Sequence, residues 1–396
     1  MLSKKALSIN PSPTMAIDSK AKEMKSQGLD VIGFGAGEPD FDTPEHIREA
    51  AIKAINEGHT RYTPAAGTPE LKEAVAAKLK RENDLSYEPN QIVISNGAKH
   101  SLSNIFTALL NPGDEVMIPV PYWVTYPELV SLNDGTPVAI ETAEENGFKA
   151  TLENLGKATN NKTKALVLNS PCNPTGQIYG EEELRRIADF CSDNDIYIIS
   201  DEIYEHLIYG DHRQTSTASF SEKARELTII VNGVSKSYAM TGWRIGYTAS
   251  TPEIAKVMSS IQSHTASNPN TIAQKAAVAA LNGPQQCVEE MRIAFDKRRK
   301  YMYEQVTAIP HLHALEPQGT FYMFVSVKEA IGKTYNGTKL SSSDNFASLL
   351  LENRKVAVVP GTGFGAPDYI RLSFATSMDN IEEGLKRINS FVEDLQ

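Results

Sequence analysis

Lys236 stands in the stretch Val234-Ser235-Lys236-Ser237-Tyr238-Ala239-Met240-Thr241-Gly242-Trp243-Arg244, just after the apolar run Thr228–Val231 and eight residues before an arginine. A lysine among small and apolar neighbours loses solvation, which lowers its ammonium pKa and frees the amine to attack a carbonyl carbon. Arginine presents a planar fork of donors that matches phosphate oxygens. An imine-forming amine beside a phosphate clamp suits a ligand that carries both an aldehyde and a phosphate.

Ligands of open α/β sheets gather at the carboxyl ends of strands, so the residues after each apolar run are the ones to inspect. Ile92–Ser95 leads into Asn96-Gly97-Ala98-Lys99 and a helix, whose first amides can cradle phosphate. Glu115–Ile118 leads to Pro121-Tyr122-Trp123, a ring able to stack on a flat heterocycle. Ala165–Leu168 leads to Asn173, framed by Pro171 and Pro174, an amide able to donate to a phenolate oxygen. Ile196–Ile199 leads to Asp201, a carboxylate that calls for a cation such as a protonated pyridine nitrogen, with Tyr204 three residues on. In Asp368–Phe374, Ile370, Leu372 and Phe374 share one face and Arg371 takes the other, where it can grip a carboxylate.

Each residue also has an ordinary role open to it: turns at Asn96-Gly97 and Asn173-Pro174, core packing for Trp123, a helix N-cap for Asp201, a surface position for Arg371. What weighs against coincidence is the set. Phosphate cradle, flat ring, amide, carboxylate and lysine fall at successive strand ends, and together they suit pyridoxal phosphate.

The elements that must hold these groups are visible as seven short apolar runs, the five above together with Pro137–Ile140 and Ile245–Thr248. Their near-continuous apolar character predicts an α/β fold with one mostly parallel sheet covered by helices on both faces. Leu102, Ile105, Phe106 and Leu109 mark one such helix, stopped by Asn111-Pro112-Gly113. Past residue 285 the texture changes to a long charged helix, near Glu289 to Ile309, and then to strands such as Phe321–Val325. This predicts a smaller α+β domain, to which a helix over Thr14–Gly28 and a strand at Val31–Phe34 are expected to belong. The expected division is 45–285 for the large domain and 1–44 with 286–396 for the small one. The segment Gly337–Ser343 reads as a polar loop.

The chain has 396 residues, a net charge of -10 and 41% hydrophobic residues. That balance supplies two cores and argues against a nucleic-acid footprint. Three scattered cysteines indicate neither a disulfide framework nor a metal site and fit a reducing cytoplasm. No run approaches the roughly 18 apolar residues of a membrane span.

Ser235-Lys236, Gly242-Trp243-Arg244-x-Gly246, Asn173-Pro174-x-Gly176, Ser200-Asp201-Glu202-x-Tyr204 and the Arg371 segment together resemble the class I aminotransferases of pyridoxal-phosphate fold type I, over essentially the whole chain. Ala36–Pro44, Arg61–Gly67 and Pro121-Tyr122-Trp123 resemble more narrowly the bacterial and plastid-type aspartate aminotransferases, a branch that includes prephenate aminotransferases. The resemblance implies a three-layer α/β fold, a seven-stranded sheet and a homodimer with shared active sites. It implies that Lys236 forms an imine with pyridoxal 5'-phosphate and shuttles the proton, that Asp201 pairs with the ring nitrogen, and that Asn173 and Tyr204 bond the ring oxygen. Gly97, Ala98, Ser235 and Arg244 would hold the phosphate, joined by Tyr62 from the partner subunit. Trp123 would stack near the ring, and Gly37 with Arg371 would bind the substrate α-carboxylate. Lys99 would take the distal carboxylate, and its pairing with Thr14 is similar to that of prephenate-active members.

The implied reaction is transfer of the amino group between L-aspartate and 2-oxoglutarate, with prephenate to arogenate as a further one. Alanine or aromatic aminotransfer and a β-lyase reaction are the alternatives on the same fold. A DNA-binding regulator built on such a domain would need a basic recognition helix, which the 30 residues before the first strand lack. A dinucleotide dehydrogenase is set aside too, because Gly33–Gly37 lacks the G-x-G-x-x-G spacing. Small amino and 2-oxo acids are thus the expected partners.

Overall fold

The computed structural model describes every residue except Met1, Ser8 and 10–12, and also leaves the side chains of Lys4, Ala6, 13–16 and Asp18 outside the described set. Thr14 is therefore a site candidate whose side chain lies outside the described residues. All seven apolar runs become strands of one sheet: β1 (Ile92–Ser95), β2 (Glu115–Pro119), β3 (Thr136–Ile140), β4 (Thr163–Asn169), β5 (Tyr197–Asp201), β6 (Thr228–Gly233) and β7 (Gly246–Ala249). Their spatial order is β1-β7-β6-β5-β4-β2-β3. The pairs from β6 to β3 are parallel, and β7 runs antiparallel to both of its neighbours.

Alternate residues of the strands feed opposite apolar layers, which is why the runs are apolar throughout. Ala165 and Val167 pack with Leu102, Phe106 and Val130 on one face. Leu166 and Leu168 pack with Leu184, Ile187 and Ile198 on the other. Helices on both sides of the sheet complete three layers. The register sets Asn169 opposite Asp201, and Asp201 opposite Val231, so the ends of β4, β5 and β6 lie side by side.

A second sheet is antiparallel, in the order Val359–Pro360, Tyr369–Ser373, Tyr322–Ser326, His313–Ala314. Its core joins Phe321, Met323, Ile370, Leu372 and Phe374 to Phe295 and Met302 of the helix Gln286–Ala308. Ile203, Tyr204 and Leu207, from the turn after β5, enter the same core. Val288 of that helix instead packs with Leu71, Val75 and Ile94. The helix therefore passes from one core, at Val288, to the other, at Met291, within its first two turns.

Three local expectations change. Of Val31–Phe34 only Ile32–Gly33 pairs, parallel to Val356–Ala357. Asp201 is the last residue of β5 rather than a residue beyond the strand. The segment read as a polar loop contributes Thr338–Lys339 to a short hairpin with Thr334–Tyr335, and Ser342 then caps the helix Ser343–Arg354 through the Asn345 amide. Polar hairpins have no apolar alternation by which to be recognised. Among the described residues no helix is long and apolar enough to cross a membrane.

Candidate active site

A cavity of about 460 Å³ opens at the carboxyl ends of the strands and is closed on its far side by the second sheet. Its wall brings together Gly37, Ala98, Lys99, Trp123, Asn173, Asp201, Tyr204, Ser235, Lys236, Arg244 and Arg371. Gly97 stands directly behind that wall, against Arg244. Tyr62 is 90% exposed and does not reach the cavity of its own chain.

Lys236 is half-buried in the turn after β6, its Nζ donating to the Gly37 carbonyl at 2.5 Å. The rings of Tyr204 and Phe321 lie 5.8 and 5.7 Å from it. Desolvation, helped by the positive charges of Arg371 and Arg244, brings its pKa down to about 8. At pH 7 roughly one molecule in ten then carries the free amine, against about one in three thousand for an ordinary lysine.

Asp201 is 2% exposed, and its carboxylate accepts from the Tyr126 hydroxyl at 2.7 Å and the Ile203 amide at 3.2 Å. Burial raises its pKa to about 6, and these two bonds with the nearby Lys236 charge only partly offset the rise. A buried acid held this way favours a cation beside it. Tyr204 donates to the Tyr322 hydroxyl at 3.2 Å, and burial pushes its phenol well above the usual range.

Arg371 is 3% exposed. One of its amines donates to Asn173 Oδ1 at 2.8 Å and the other to the Gly35 carbonyl at 3.2 Å, while Nε has no partner among the described residues. Its guanidinium lies 4.0 Å from the centre of the Tyr322 ring. Lys99, exposed on the rim, sits 5.0 Å over the Trp123 ring, and partial desolvation followed by the Arg244 charge lowers its pKa.

The anion end is built from backbone. Gly97, with φ of 84°, caps the helix Ala98–Leu109, whose first amides have no intrahelical acceptor. Gly246 of β7 runs so close beneath that a Cβ there would stand 2.3 Å from the Ala98 nitrogen. Arg244, itself left-handed with φ of 56°, is anchored by the Thr241 carbonyl at 2.8 Å. A Cβ on Gly97 would meet Arg244 Nη2 at 2.3 Å. Gly97→Ala is therefore expected to weaken pyridoxal-phosphate binding about tenfold, from the left-handed strain of about 1–2 kcal/mol and the displaced guanidinium. An absorbance titration of apoprotein checks it.

Tyr126 and Tyr322 were not among the residues singled out from sequence. Tyr126 follows Trp123 by three positions in the same post-strand segment, a signal that was available; Tyr322 lies inside the apolar run Phe321–Val325 and looks like core.

A group bearing a phosphate, a basic flat ring and an aldehyde fits these residues. The side-chain-free cradle at Gly97 answers the phosphate, the Asp201 carboxylate the basic ring and the desolvated Lys236 amine the aldehyde, while Arg371 Nε, without a partner among the described residues, is left for a carboxylate. This cavity on a sheet of this order defines a three-layer α/β protein of the pyridoxal-phosphate-dependent fold type I. Residues 29–388 match the class I and II aminotransferase model, and the chain belongs to that family, as an aminotransferase.

Among its relatives, the aspartate aminotransferase of Bacillus subtilis is 50% identical over 392 residues, covering 99% of both chains. A probable aspartate/prephenate aminotransferase of Aquifex aeolicus is 49% identical, over 98% of this chain and 97% of the relative. The crystal structure of the aspartate aminotransferase from Rhizobium meliloti superposes with a TM-score of 0.97 at 41% identity, covering 100% of both chains.

Proposed function

We propose that this enzyme transfers the amino group between L-aspartate and 2-oxoglutarate, forming oxaloacetate and L-glutamate, with pyridoxal 5'-phosphate as its cofactor. The observation that carries it is the pairing of two cations on one cavity, Arg371 in the floor and Lys99 on the rim, as a dicarboxylate requires. Lys236 tethers the cofactor and moves the proton at the substrate α-carbon. Asp201 holds a proton on the ring nitrogen, and the bound ring then supplies an electron sink for the α-carbon. Asn173, whose Oδ1 is taken by Arg371, offers its Nδ2 to the ring oxygen beside Tyr204. Gly97, Ala98, Ser235 and Arg244 hold the phosphate, Trp123 covers the ring, and Gly37 with Arg371 receives the α-carboxylate.

The exposure of Tyr62, with Ile52 and Ile55 more than half exposed nearby in sequence, supports a homodimer in which Tyr62 completes the partner's phosphate site. One apolar core that gathers Ile32 and Phe34 with Phe295, Phe321, Ile370 and Phe374 supports joining 1–44 to 286–396, apart from 45–285. The three free cysteines suit a cytoplasmic setting.

Half-reaction spectra with aspartate, alanine, phenylalanine and prephenate test the substrate. Aspartate is expected to react best; alanine preference without aspartate turnover contradicts the proposal. Lys99→Ala is expected to raise the aspartate KM about 10- to 100-fold, the loss of one charged hydrogen bond, while alanine changes less than about twofold. The Aquifex aeolicus relative, a probable aspartate/prephenate aminotransferase, favours prephenate as a second acceptor, with Lys99 and Thr14 as the residues that would recognise it.

A further inference from the structure

Outside the cavity, the helix Pro69–Asn83 buries a lysine. Lys78 is 1% exposed, and its ammonium pairs with the Glu205 carboxylate while donating to Asn83 Oδ1 at 2.8 Å. Glu205 also accepts from Asn232 Nδ2 at 2.6 Å and from Asn83 Nδ2 at 3.0 Å. At the edge of the cluster Glu82 lies 3.6 Å from Lys78 Nζ and 3.0 Å from His206 Nε2. His206 Nδ1 in turn lies 2.9 Å from Ser237 Oγ.

The electrostatics hold the two carboxylates of this cluster in their charged form. Burial works to raise the Glu82 carboxyl, but the bond to His206 and the charge of Lys78 outweigh it and hold the group at about 2. Glu205 is likewise held low, the charges of Lys78 and His206 overcoming its burial. Glu82, Glu205 and His206 bring possible ligand atoms within 4.8 Å of one another, and the Lys78 ammonium already stands among them as the cation.

Such a pair is a poor source of stability. Desolvating two ions costs several kcal/mol each, and apolar replacements of similar volume are often neutral or better. Its geometric consequence is more specific. Asn232 precedes Lys236 by four residues and Ser237 follows it directly, so the cluster grips the lysine turn on both flanks. Glu205 and His206 continue the segment that carries Asp201 and Tyr204. None of Lys78, Glu205 and His206 lines the cavity.

We propose that the Lys78–Glu205 pair, through Asn232, His206 and Ser237, is a positioning clamp that fixes the Lys236 turn against the Asp201–Tyr204 segment. Lys236 as the cofactor-bearing lysine, taken from the function proposed above, is the premise on which the clamp rests.

The test compares holoenzymes of the wild type, Lys78→Met/Glu205→Leu and Ser237→Ala. It reads kcat, KM, thermal midpoint and the pH midpoint of the visible cofactor band. The double variant strands neither charge of the pair but leaves the Asn232 and Asn83 amides without this acceptor, so its thermal midpoint is expected to fall by several degrees while it still folds. Its kcat is expected to fall about tenfold or more from a misplaced amine, with the aspartate KM within about twofold. The pH midpoint of its visible band is expected to shift by about 0.5 or more. Ser237→Ala cuts only the last link, and is expected to move kcat and spectral midpoint the same way by less, at an unchanged thermal midpoint; it carries the test alone if the double variant does not fold.

Wild-type kcat and spectral midpoint in Ser237→Ala, or in a folded double variant, overturn the clamp, as does a lower thermal midpoint with both retained. Borohydride reduction of the same preparations separates the two proposals. A label on Lys236 with unmoved midpoints overturns the clamp alone, whereas no label in the wild type overturns the functional proposal beneath it.

Discussion

Lys236→Ala is expected to abolish transamination, lowering kcat by at least about 10⁴-fold, because one substitution removes both the covalent tether and the general base. The function proposed above gives both roles to one amine. Its Nζ stands in the cavity with Asp201 and Arg371, desolvation and two arginine charges bring its pKa to about 8, and among the described residues no other lysine but Lys99 lines that wall. The depressed pKa sets a direction for pH dependence. Capture of an aldehyde by apoprotein requires the neutral amine, so its rate is expected to rise with pH and level off above about 8 rather than above 10.5. Stopped-flow absorbance with pyridoxal phosphate measures this. Lys236→Ala should bind the cofactor without that pH-dependent capture, and Lys236→Arg, charged at every accessible pH, should fail in the same way.

Asp201 carries the second large effect. Asp201→Ala is expected to lower kcat by roughly two to nearly four orders of magnitude, corresponding to about 3–5 kcal/mol for removing one member of a buried charge pair. Asp201→Glu keeps the charge but must fit a longer side chain into a site closed by Tyr126 and Ile203, and should recover only part of the loss. The sign with pH follows from burial. The Asp201 carboxyl is raised to about 6 in the free protein, and a bound cationic nitrogen favours the ionised form. Cofactor affinity therefore falls as pH drops through about 6, and this component is expected to be missing from the profile of Asp201→Asn. Equilibrium dialysis of wild type and variant across that range isolates it, since phosphate titration is common to both.

Much of this site was legible because the sheet is buried on both faces. Continuous apolar runs mark the strands, and in a parallel sheet their carboxyl ends all open on the same side, so Asp201, Asn173 and Lys236 could be placed together before any coordinates. Arg371 was legible as the one charged position in the alternating strand Tyr369–Ser373.

The residues that escaped notice did so for physical reasons. Tyr322 starts a fully buried strand, where a tyrosine is indistinguishable from core until the Tyr204 hydroxyl is found 3.2 Å from it. Gly37 was assigned to the substrate, and the carbonyl contact it makes with Lys236 is a backbone property with no residue signature. Lys78 sits in mid-helix among Glu73, Lys72 and Lys80 and looks solvated; its partner Glu205 is 127 positions away, beyond the reach of any local pattern. The hairpin at Thr338–Lys339 was passed over for want of apolar residues.

The central claim, that Lys236 is the residue to which pyridoxal phosphate is joined, is tested most directly by borohydride reduction of the holoenzyme followed by peptide mass spectrometry. The expected result is one modified peptide, with the reduced cofactor on Lys236 and the visible band replaced by an ultraviolet one. A cofactor fixed to Lys99 or another lysine, or a protein that gains no mass after reduction, would contradict the account.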